Sequence, residues 1–454
     1  MFACHHRSMR VRAIRCGLAL VSAAAISVVG GRLHAQVIQQ AVGGVAISTE
    51  GVLTVVKTDT LQDLSNMRRK ALAQLPGDLN QPANLRSISL SRLQEAIAAC
   101  QKNNQPWPDE IRYLAGLQRV EYVFVDPQHH DVVLAGPAEG WKVNEQGEVV
   151  GAKNGRAVLR LEDLLVALRS ADQARNGGIS CSIDPTSEGM KRLQAYFGQK
   201  KTIGNPEQTS TEIESSLGPQ TISVSGVPGS SHFALVMVAA DHRMKRLAMN
   251  FEPAPVKGMP SYLTMISPSA KIQTPRWWLA ANYEPLLKDP DGLAWQLRGT
   301  GVKCLTEEDH FSQSGSRERT GKANPLAQKW ADTMTEKFDE LSAKDTIFGS
   351  LRNCMDLAVV ASLIMQEHLA DKADCHLDLL QNAKQLPIEE YQVPKQVDSR
   401  ASVLKKGHNY IISASGGVLF QPWAIIRESK IDPNASAVRG KVVEATKATA
   451  WWWD

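Results

Sequence analysis

The sequence predicts a protein of mixed α+β and α/β class, with two or three domains, mixed sheets and a helical C-terminal half. Short runs in which apolar and polar residues alternate, such as GISCSI at 178–183, are typical of strands. Apolar residues at helical spacing, as in LEDLLVALRSA at 161–171, indicate amphipathic helices between the strands. The chain of 454 residues is long enough for more than one domain.

The first 35 residues have the order of a secretory signal peptide. Four arginines and no acid precede an apolar run from Gly17 to Gly31, and Ala35 stands just before Gln36. This order predicts cleavage between Ala35 and Gln36 and export to the periplasm, the cell envelope or the extracellular space. Neither this run nor any later one reaches the roughly 20 apolar residues of a spanning helix, so we expect no transmembrane helix after cleavage.

The chain that follows the signal peptide is nearly neutral. Of the 51 basic residues in the whole chain, five arginines lie in residues 1–35, which leaves 46 basic against 47 acidic residues and a net charge of −1. The chain after the signal peptide therefore has no excess of basic residues that would predict nucleic-acid binding. The five cysteines beyond the signal peptide are far apart and form no CxxC pair, which favours core residues over a disulfide scaffold. A single disulfide stays open as an alternative.

The N-terminal half of the exported chain divides into three predicted regions. We expect an α/β domain over 37–200, in which DPQHHD at 126–131 is a turn between two strands. A polar linker follows over 201–215. An α+β domain over 216–305 contains a long hairpin, because KDPDG at 288–292 is a turn signal between two β-rich runs.

The remaining chain changes character at residue 306. Residues 306–325 contain almost no apolar side chains, and we expect a mobile loop there. Residues 326–454 form a helical segment with a short β-rich tail. Its second long helix is apolar nearly all round at its centre, which predicts a buried core helix.

Several stretches resemble a family of exported proteins from planctomycete bacteria, a family defined by a domain of unknown function. These stretches follow one another in order over most of the exported chain. They are RYLAGLQRVEYVFVDPQHHDVVLAGPAEGW (112–141), AADHRMKRLAM (239–249), RWWLAANYE (276–284), DGLAWQLRGTGVK (291–303), LRNCMDLAVVASLI (351–364) and SASGGV (413–418). The resemblance implies export and a shared fold, and it brings no activity and no catalytic residues.

The stretch GSSHFALVMVAADHRMKRLAM at 229–249 carries the side-chain types of a hydrolase triad. Its candidate catalytic residues are His232, Asp241 and His242. The apolar run after His232 predicts a buried strand, with Asp241 as the cap of a following helix. A strand of that length spans roughly 25 Å, which would separate Ser231 and His232 from His242. Arg243, Lys245 and Arg246 are candidates for binding an anion, and a solvated helix face is the alternative.

Two further groups are candidates for ligand binding. His368 and Asp371 lie three residues apart on a predicted helix, with His376 beyond it, and together they are the best metal candidates. They lack any paired metal-binding motif, so we assign no metal and no cofactor. Trp277 and Trp278 lie on opposite faces of the predicted hairpin, and an exposed ring could stack on a glycan or a peptide.

These observations favour an exported, non-catalytic protein that acts by binding or by assembly in the envelope. The signal peptide, the neutral chain and the lack of a complete catalytic motif support this interpretation. An exported hydrolase, with a site assembled from distant residues, is the first alternative. A glycan- or peptide-binding module that uses the tryptophan-bearing hairpin is the second, with an envelope protein or a glycan as partner.

Overall fold

A computed structural model describes most of the chain beyond the predicted signal peptide. The described residues are 45–47, 52–55, 77–144, 146–200, 205–266, 275–311, 317–319, 323–402, 415–448 and 452–453. All of them lie in one compact unit over 40–454. The predicted cleavage site between Ala35 and Gln36 lies outside the described residues.

The described strands are numbered in chain order. They are β1 (Val45–Ile47), β2 (Val52–Val55), β3 (Ala83–Ser89), β4 (Tyr122–Asp126), β5 (Asp131–Ala138), β6 (Trp141–Val143), β7 (Val149–Gly151), β8 (Ile179–Pro185), β9 (Gln220–Ser225), β10 (Pro275–Asn282), β11 (Leu286–Lys288), β12 (Ala294–Gln296), β13 (Gly301–Phe311), β14 (Arg317–Arg319), β15 (Gln396–Val397), β16 (Ser415–Phe420) and β17 (Ser429–Ile431).

The described α-helices are numbered in the same way. They are α1 (Leu90–Lys102), α2 (Asp109–Arg112), α3 (Leu161–Ser170), α4 (Ala174–Gly177), α5 (Ser187–Gln199), α6 (Pro206–Leu217), α7 (His232–Ala248), α8 (Tyr262–Met265), α9 (Pro325–Glu336), α10 (Phe338–Lys344), α11 (Thr346–Gln366), α12 (Leu369–Ala373), α13 (Asp378–Gln381), α14 (Pro422–Ile426) and α15 (Asn434–Ala448). Two 3-10 turns, Gly77–Asn80 and Leu114–Gly116, complete the elements.

Two mixed sheets organise these elements and confirm the predicted mixed class. The larger has nine strands in the order β1-β2-β15-β9-β8-β16-β10-β13-β14, and the smaller has six in the order β17-β11-β12-β4-β5-β3. Each sheet contains both antiparallel and parallel neighbours, for example β8 with β16 and β10 with β16 in the larger sheet. Both sheets draw strands from distant parts of the sequence, so their strand order does not follow the chain.

One glycine allows the parallel pair at the centre of the larger sheet. Gly416 adopts a φ of 133°, and a Cβ at this position would come within 1.6 Å of the Trp277 carbonyl oxygen. Any side chain there would push β16 away from β10, since L residues rarely adopt this backbone conformation. The glycine therefore holds the two strands at pairing distance.

Helices α7 and α11 fill the space against the larger sheet. α7 packs on β8 and β16, and it also packs on α11. α11 is the one described helix long and apolar enough to cross a membrane, and 94% of its most apolar window is buried. This burial agrees with the predicted core helix. Cys181, Cys304, Cys354 and Cys375 are buried and Cys100 is partly buried, all five as free thiols.

Three local predictions differ from the structure. Residues 206–217 form helix α6, where we expected a linker, because Asn205 caps the helix and Pro206 stands in its first turn. Residues 301–311 and 317–319 are paired strands, where a loop was expected from 306. The long hairpin divides between the sheets, because β11 and β12 join the smaller sheet whereas β10 and β13 pair in the larger.

Candidate functional site

Helix α7 replaces the buried strand that the sequence predicts after Ser231. The Ser231 hydroxyl accepts a hydrogen bond from the Ala234 backbone N–H at 3.2 Å, which makes Ser231 the N-cap of a helix that continues to Ala248. The predicted strand was wrong because a continuous apolar run also fits a helix that is buried on all sides. Asp241 lies within the helix and is not its cap.

The first turn of α7 carries a buried ion pair. The His232 Nδ1 lies 2.9 Å from one carboxylate oxygen of Asp163 and 3.0 Å from the other. Both side chains are less than a tenth exposed. Burial acts to lower the pKa of His232, but the adjacent Asp163 carboxylate opposes this, and the net pKa is raised. Tyr391 packs beside the imidazole, with ring centroids 5.9 Å apart.

A thiol and a hydroxyl near His232 do not complete a catalytic triad. Cys354 lies close to Asp163, the acid that His232 contacts, and the described residues show no hydrogen bond between the thiol and the imidazole. Burial, followed by the Asp163 charge, raises the pKa of the Cys354 thiol well above its ordinary value, which suppresses the thiolate. The Ser231 hydroxyl donates to the Pro228 carbonyl oxygen at 2.6 Å. Neither group can pass a proton to His232 in this arrangement.

Two turns further along α7, Asp241 and Lys245 form a second buried pair. The Lys245 ammonium lies 2.8 Å from Asp241 Oδ2 and donates to the carbonyl oxygens of Ile183 at 3.1 Å and Gly416 at 3.4 Å. These contacts tie the helix to β8 and β16 and use all three ammonium hydrogens. Burial raises the pKa of Asp241 to about 6, although the Lys245 charge acts in the opposite direction.

The C-terminal half of α7 faces a small pocket beside strands β8, β9 and β15. The pocket is shallow, and the empty space between its walls is about 390 Å³ only when the open solvent at its mouth is counted. Its walls combine apolar, cationic and hydrogen-bonding side chains. The lining residues are Ile183, Gln220, His242, Lys245, Arg246, Met249, Phe251, Val397, Asp398 and Arg400.

His242 is the unusual group in this pocket. Its Nδ1 is buried and has no hydrogen-bond partner among the residues that the structure describes. Burial, followed by the charges of Arg246, Lys245 and two further arginines, lowers the pKa of His242 to about 3. The imidazole is therefore neutral at neutral pH, and its buried Nδ1 is a hydrogen-bonding group that the described residues leave unsatisfied, at a cost in free energy.

The three arginines near the pocket, Arg243 and Arg246 on α7 and Arg400 after β15, differ in whether their guanidinium groups are already paired with acids. Arg243 contacts Glu252 and lies 2.9 Å from Asp345, so its charge is balanced within the fold. Arg246 contacts Glu252 through Nε, and its terminal nitrogens have no acidic partner among the described residues. Arg400 is largely exposed, and within the described part of the chain it lies 3.8 Å from the acid Glu214.

The structure places the predicted site residues in separate environments. His232 is in the core, Asp241 pairs with Lys245, and His242 and Arg246 line the pocket. His232 and His242 lie ten residues apart on one helix, about 15 Å along its axis. The sequence analysis expected His232 and His242 to lie apart on a strand. In the structure they lie apart on a helix.

The metal candidates lie on the surface. His368 lies 3.2 Å from Asp371, and Asp374 lies 3.3 Å from His130 and 3.9 Å from His376. All of these side chains are more than half exposed. Within the described ranges, no group of three His, Cys, Asp or Glu side chains is arranged to hold a metal ion.

The two tryptophans lie on opposite faces of β10, as their adjacent positions predict. Trp277 is fully buried and packs against Trp330, with ring centroids 4.8 Å apart. Trp278 is partly buried, and the Arg276 guanidinium lies 4.4 Å from its ring centroid. A Cβ at Gly417 would come within 2.9 Å of the Trp278 ring, so the indole lies close against β16. This ring is therefore largely engaged within the protein.

Sequence reasoning missed Asp163, Asp398 and Arg400. Asp163 lies 69 positions before His232, and its neighbours indicate only an amphipathic helix. Asp398 and Arg400 follow the short strand β15 in a segment without any recognisable pattern. Lys245 was expected among the anion-binding candidates, and its ion pair with Asp241 has a signal in the sequence, because the two stand four residues apart, the spacing at which helical side chains meet.

Comparison with known proteins gives one match. A family model described as Protein of unknown function (DUF1598) matches residues 181–262. No curated protein and no solved structure matches the chain. The matched span contains all of α7 and seven of the ten residues that line the pocket. Residues 181–262 are thus similar to an uncharacterised domain family, and this span carries most of the candidate site.

Proposed function

We propose that this protein is an exported, non-catalytic binding protein of the periplasm or cell envelope, and that it holds a small organic anion in the pocket beside α7. The observation that carries the proposal is the presence of two arginines, Arg246 and Arg400, at one pocket, where Arg400 is largely exposed and lies 3.8 Å from Glu214. Two guanidinium groups at one opening favour a negatively charged ligand.

Binding fits this pocket better than hydrolysis. The described lining residues include no serine, threonine, cysteine or tyrosine that could act as a nucleophile. His242 has a pKa of about 3, far below the operating range of an efficient general base at neutral pH. The buried Cys354, Asp163 and His232 lack both the order and the access that a nucleophilic site requires.

Export is part of the proposal and is supported by the sequence. Residues 1–35 have the charge and apolar order of a signal peptide, and several stretches resemble exported planctomycete proteins. The near-neutral chain after Gln36 argues against nucleic acid as a partner. N-terminal sequencing of the protein recovered from a periplasmic or secreted fraction should begin at Gln36. Recovery in the cytoplasm with an intact leader would contradict export and leave the binding proposal open to its own test.

Calorimetric titration of the purified exported chain tests the binding proposal. We expect acetate to bind, and the uncharged acetamide to bind at least about tenfold more weakly, because a charged hydrogen-bond partner is worth roughly 1.5–3 kcal/mol. Arg400→Gln should weaken binding of the anion by about tenfold. The matched variant Arg427→Gln, at an exposed arginine outside the pocket, should leave it unchanged. Equal binding of the acid and the amide would refute the proposal.

A further inference from the structure

The smaller sheet has an edge that a distant segment of the same chain covers. β3 lies last in the strand order and pairs with β5 on one side. On its other side, the Ser89 backbone N–H donates to the Trp452 carbonyl oxygen at 2.9 Å, and Ile88 and Trp453 form an antiparallel bridge. Residues 452–453 therefore lie beside β3 as a short further strand of this sheet.

The two tryptophan side chains enter the core at this edge. Trp452 is 6% exposed and Trp453 is 9% exposed, and their ring centroids lie 4.8 Å apart. Both belong to the apolar core cluster that contains Ile88 and Leu90. The edge thus combines a main-chain contact, which any extended segment can make, with apolar surroundings that accept two adjacent indole rings.

Residues 452–453 are joined to helix α15 by a short connection. Only residues 449–451 lie between the end of α15 at Ala448 and Trp452, and four peptide units span at most about 14 Å. A short tether gives the attached segment an effective concentration on the order of millimolar, so docking within one chain outcompetes docking between chains in dilute solution. A short connection also favours exchange of an identical segment between two copies, because both arrangements make the same contacts.

We infer that the edge of β3 at Ile88 and Ser89 is a strand-accepting site for an extended segment with two adjacent tryptophans, and that its partner between molecules is the same segment of a second copy. In the monomer, residues 452–453 occupy this site and block it. Exchange would place the segment of each copy on the β3 edge of the other and retain the contacts seen within one chain. None of these residues lines the pocket beside α7, so the inference does not depend on the proposed function.

Binding of a labelled peptide tests the site. The peptide KATAWWWD has the sequence of residues 447–454. It should bind to the double variant Trp452→Ser with Trp453→Ser at least about tenfold more tightly than to the wild type, whose own segment occupies the site. Fluorescence anisotropy measures both affinities. The peptide KATAWSSD, with serine at the same two positions, should not bind. Ile431→Ser, at an exposed residue of the opposite edge strand β17, should behave as the wild type.

Refolding at two protein concentrations tests the exchange between copies. Wild type refolded from urea at a concentration near millimolar should give a dimer, and refolding in dilute solution should give a monomer. Size-exclusion chromatography with light scattering measures the mass of each. The double variant should stay monomeric at both concentrations, because it lacks the side chains that the edge accepts.

The outcomes that overturn the inference are distinct. Equal affinity of KATAWWWD for wild type and double variant would mean that the peptide binds elsewhere, and no binding to a folded variant would mean that the site does not exist. Circular dichroism shows whether the double variant folds; if it does not, Trp453→Ser alone, which keeps the more deeply buried ring, takes its place. A wild type that stays monomeric near millimolar, or a dimer that forms equally in the variant, would overturn exchange with a second copy.

Discussion

The two histidines of helix α7 have opposite environments although they lie on the same element. His232, at the first residue, is buried against the Asp163 carboxylate, and its pKa is raised. His242, near the other end, is surrounded by arginines and Lys245, and its pKa is lowered to about 3. The first imidazole is satisfied by the fold, whereas the Nδ1 of the second has no partner among the described residues.

This difference separates a structural group from a candidate binding group. A polar side chain that the fold satisfies completely adds stability or specificity and has nothing left for a ligand. A buried nitrogen that the fold leaves unsatisfied costs free energy. His242 also lies among the residues that line a solvent-open pocket, where Arg246 and Arg400 can meet an anion. The N-terminal end of α7 is therefore the better target for stability measurements, and the C-terminal end for binding measurements.

The largest expected effect comes from breaking the His232 pair. Asp163→Ala should lower the free energy of unfolding by about 3–5 kcal/mol, because it leaves the imidazole in the core without its counter-charge. Urea denaturation of the wild type and the variant measures this difference in the free energy of unfolding. The double variant Asp163→Leu with His232→Leu should recover at least half of the loss, because two apolar side chains need no partner. A loss below about 1 kcal/mol for the single variant would show that the pair is not needed.

Breaking the second buried pair should have a smaller effect that depends on pH. Lys245→Met should cost about 2–3 kcal/mol at pH 8, because the Asp241 carboxylate loses its counter-charge. The pKa of Asp241 is already raised to about 6 in the folded protein, so ionisation of this group opposes folding as pH rises from about 4 through 6. The cost should therefore shrink at pH 5, where the acid becomes protonated. Denaturation curves at both pH values give the comparison, and a cost independent of pH would contradict this explanation.

His242 should make the protein less stable in acid, in contrast to His232. The pKa of His242 is lower in the folded protein than in the unfolded chain. Neutral His242 therefore makes its full contribution to stability above about pH 6.5, and this contribution is lost as the pH falls towards 3. The raised pKa of His232 gives the reverse, a contribution complete below about 6.5 and lost as pH rises through the folded value. His242→Phe should therefore reduce the loss of stability between pH 7 and pH 5 by about 1–2 kcal/mol. An unchanged pH dependence in this variant would show that the imidazole is not held neutral.

The sequence predicted local elements better than their assembly. The amphipathic pattern of 161–171 corresponds to helix α3, and the alternation of GISCSI corresponds to β8. The apolar run after His232 was ambiguous, because a run without polar residues has no period that distinguishes a strand from a buried helix. The division of the predicted hairpin between two sheets depends on contacts with β4 and β13, which no local pattern encodes.

The candidate site was predictable only in part for the same reason. Arg246 and His242 could be predicted as candidate site residues because they follow an apolar run, and both line the pocket. Arg400 reaches the same pocket from a position more than 150 residues away. Asp163 pairs with His232 across 69 residues, so the distinction between the two histidines depends on tertiary contacts.

The smallest expected effect tests whether Ser231 is a helix cap or part of a reactive site. Ser231→Ala should cost about 1 kcal/mol, because the Ala234 N–H loses the hydroxyl that satisfies it at the start of α7. Ser231→Asn should restore most of that stability, since asparagine is also a good N-cap. Thermal denaturation of the two variants, with ligand titration under the same conditions, measures both roles. Binding should be the same in both variants, because the cap lies about three to four turns from the pocket residues on α7. A loss of binding that the asparagine variant does not restore would mean that the serine hydroxyl has a role beyond capping.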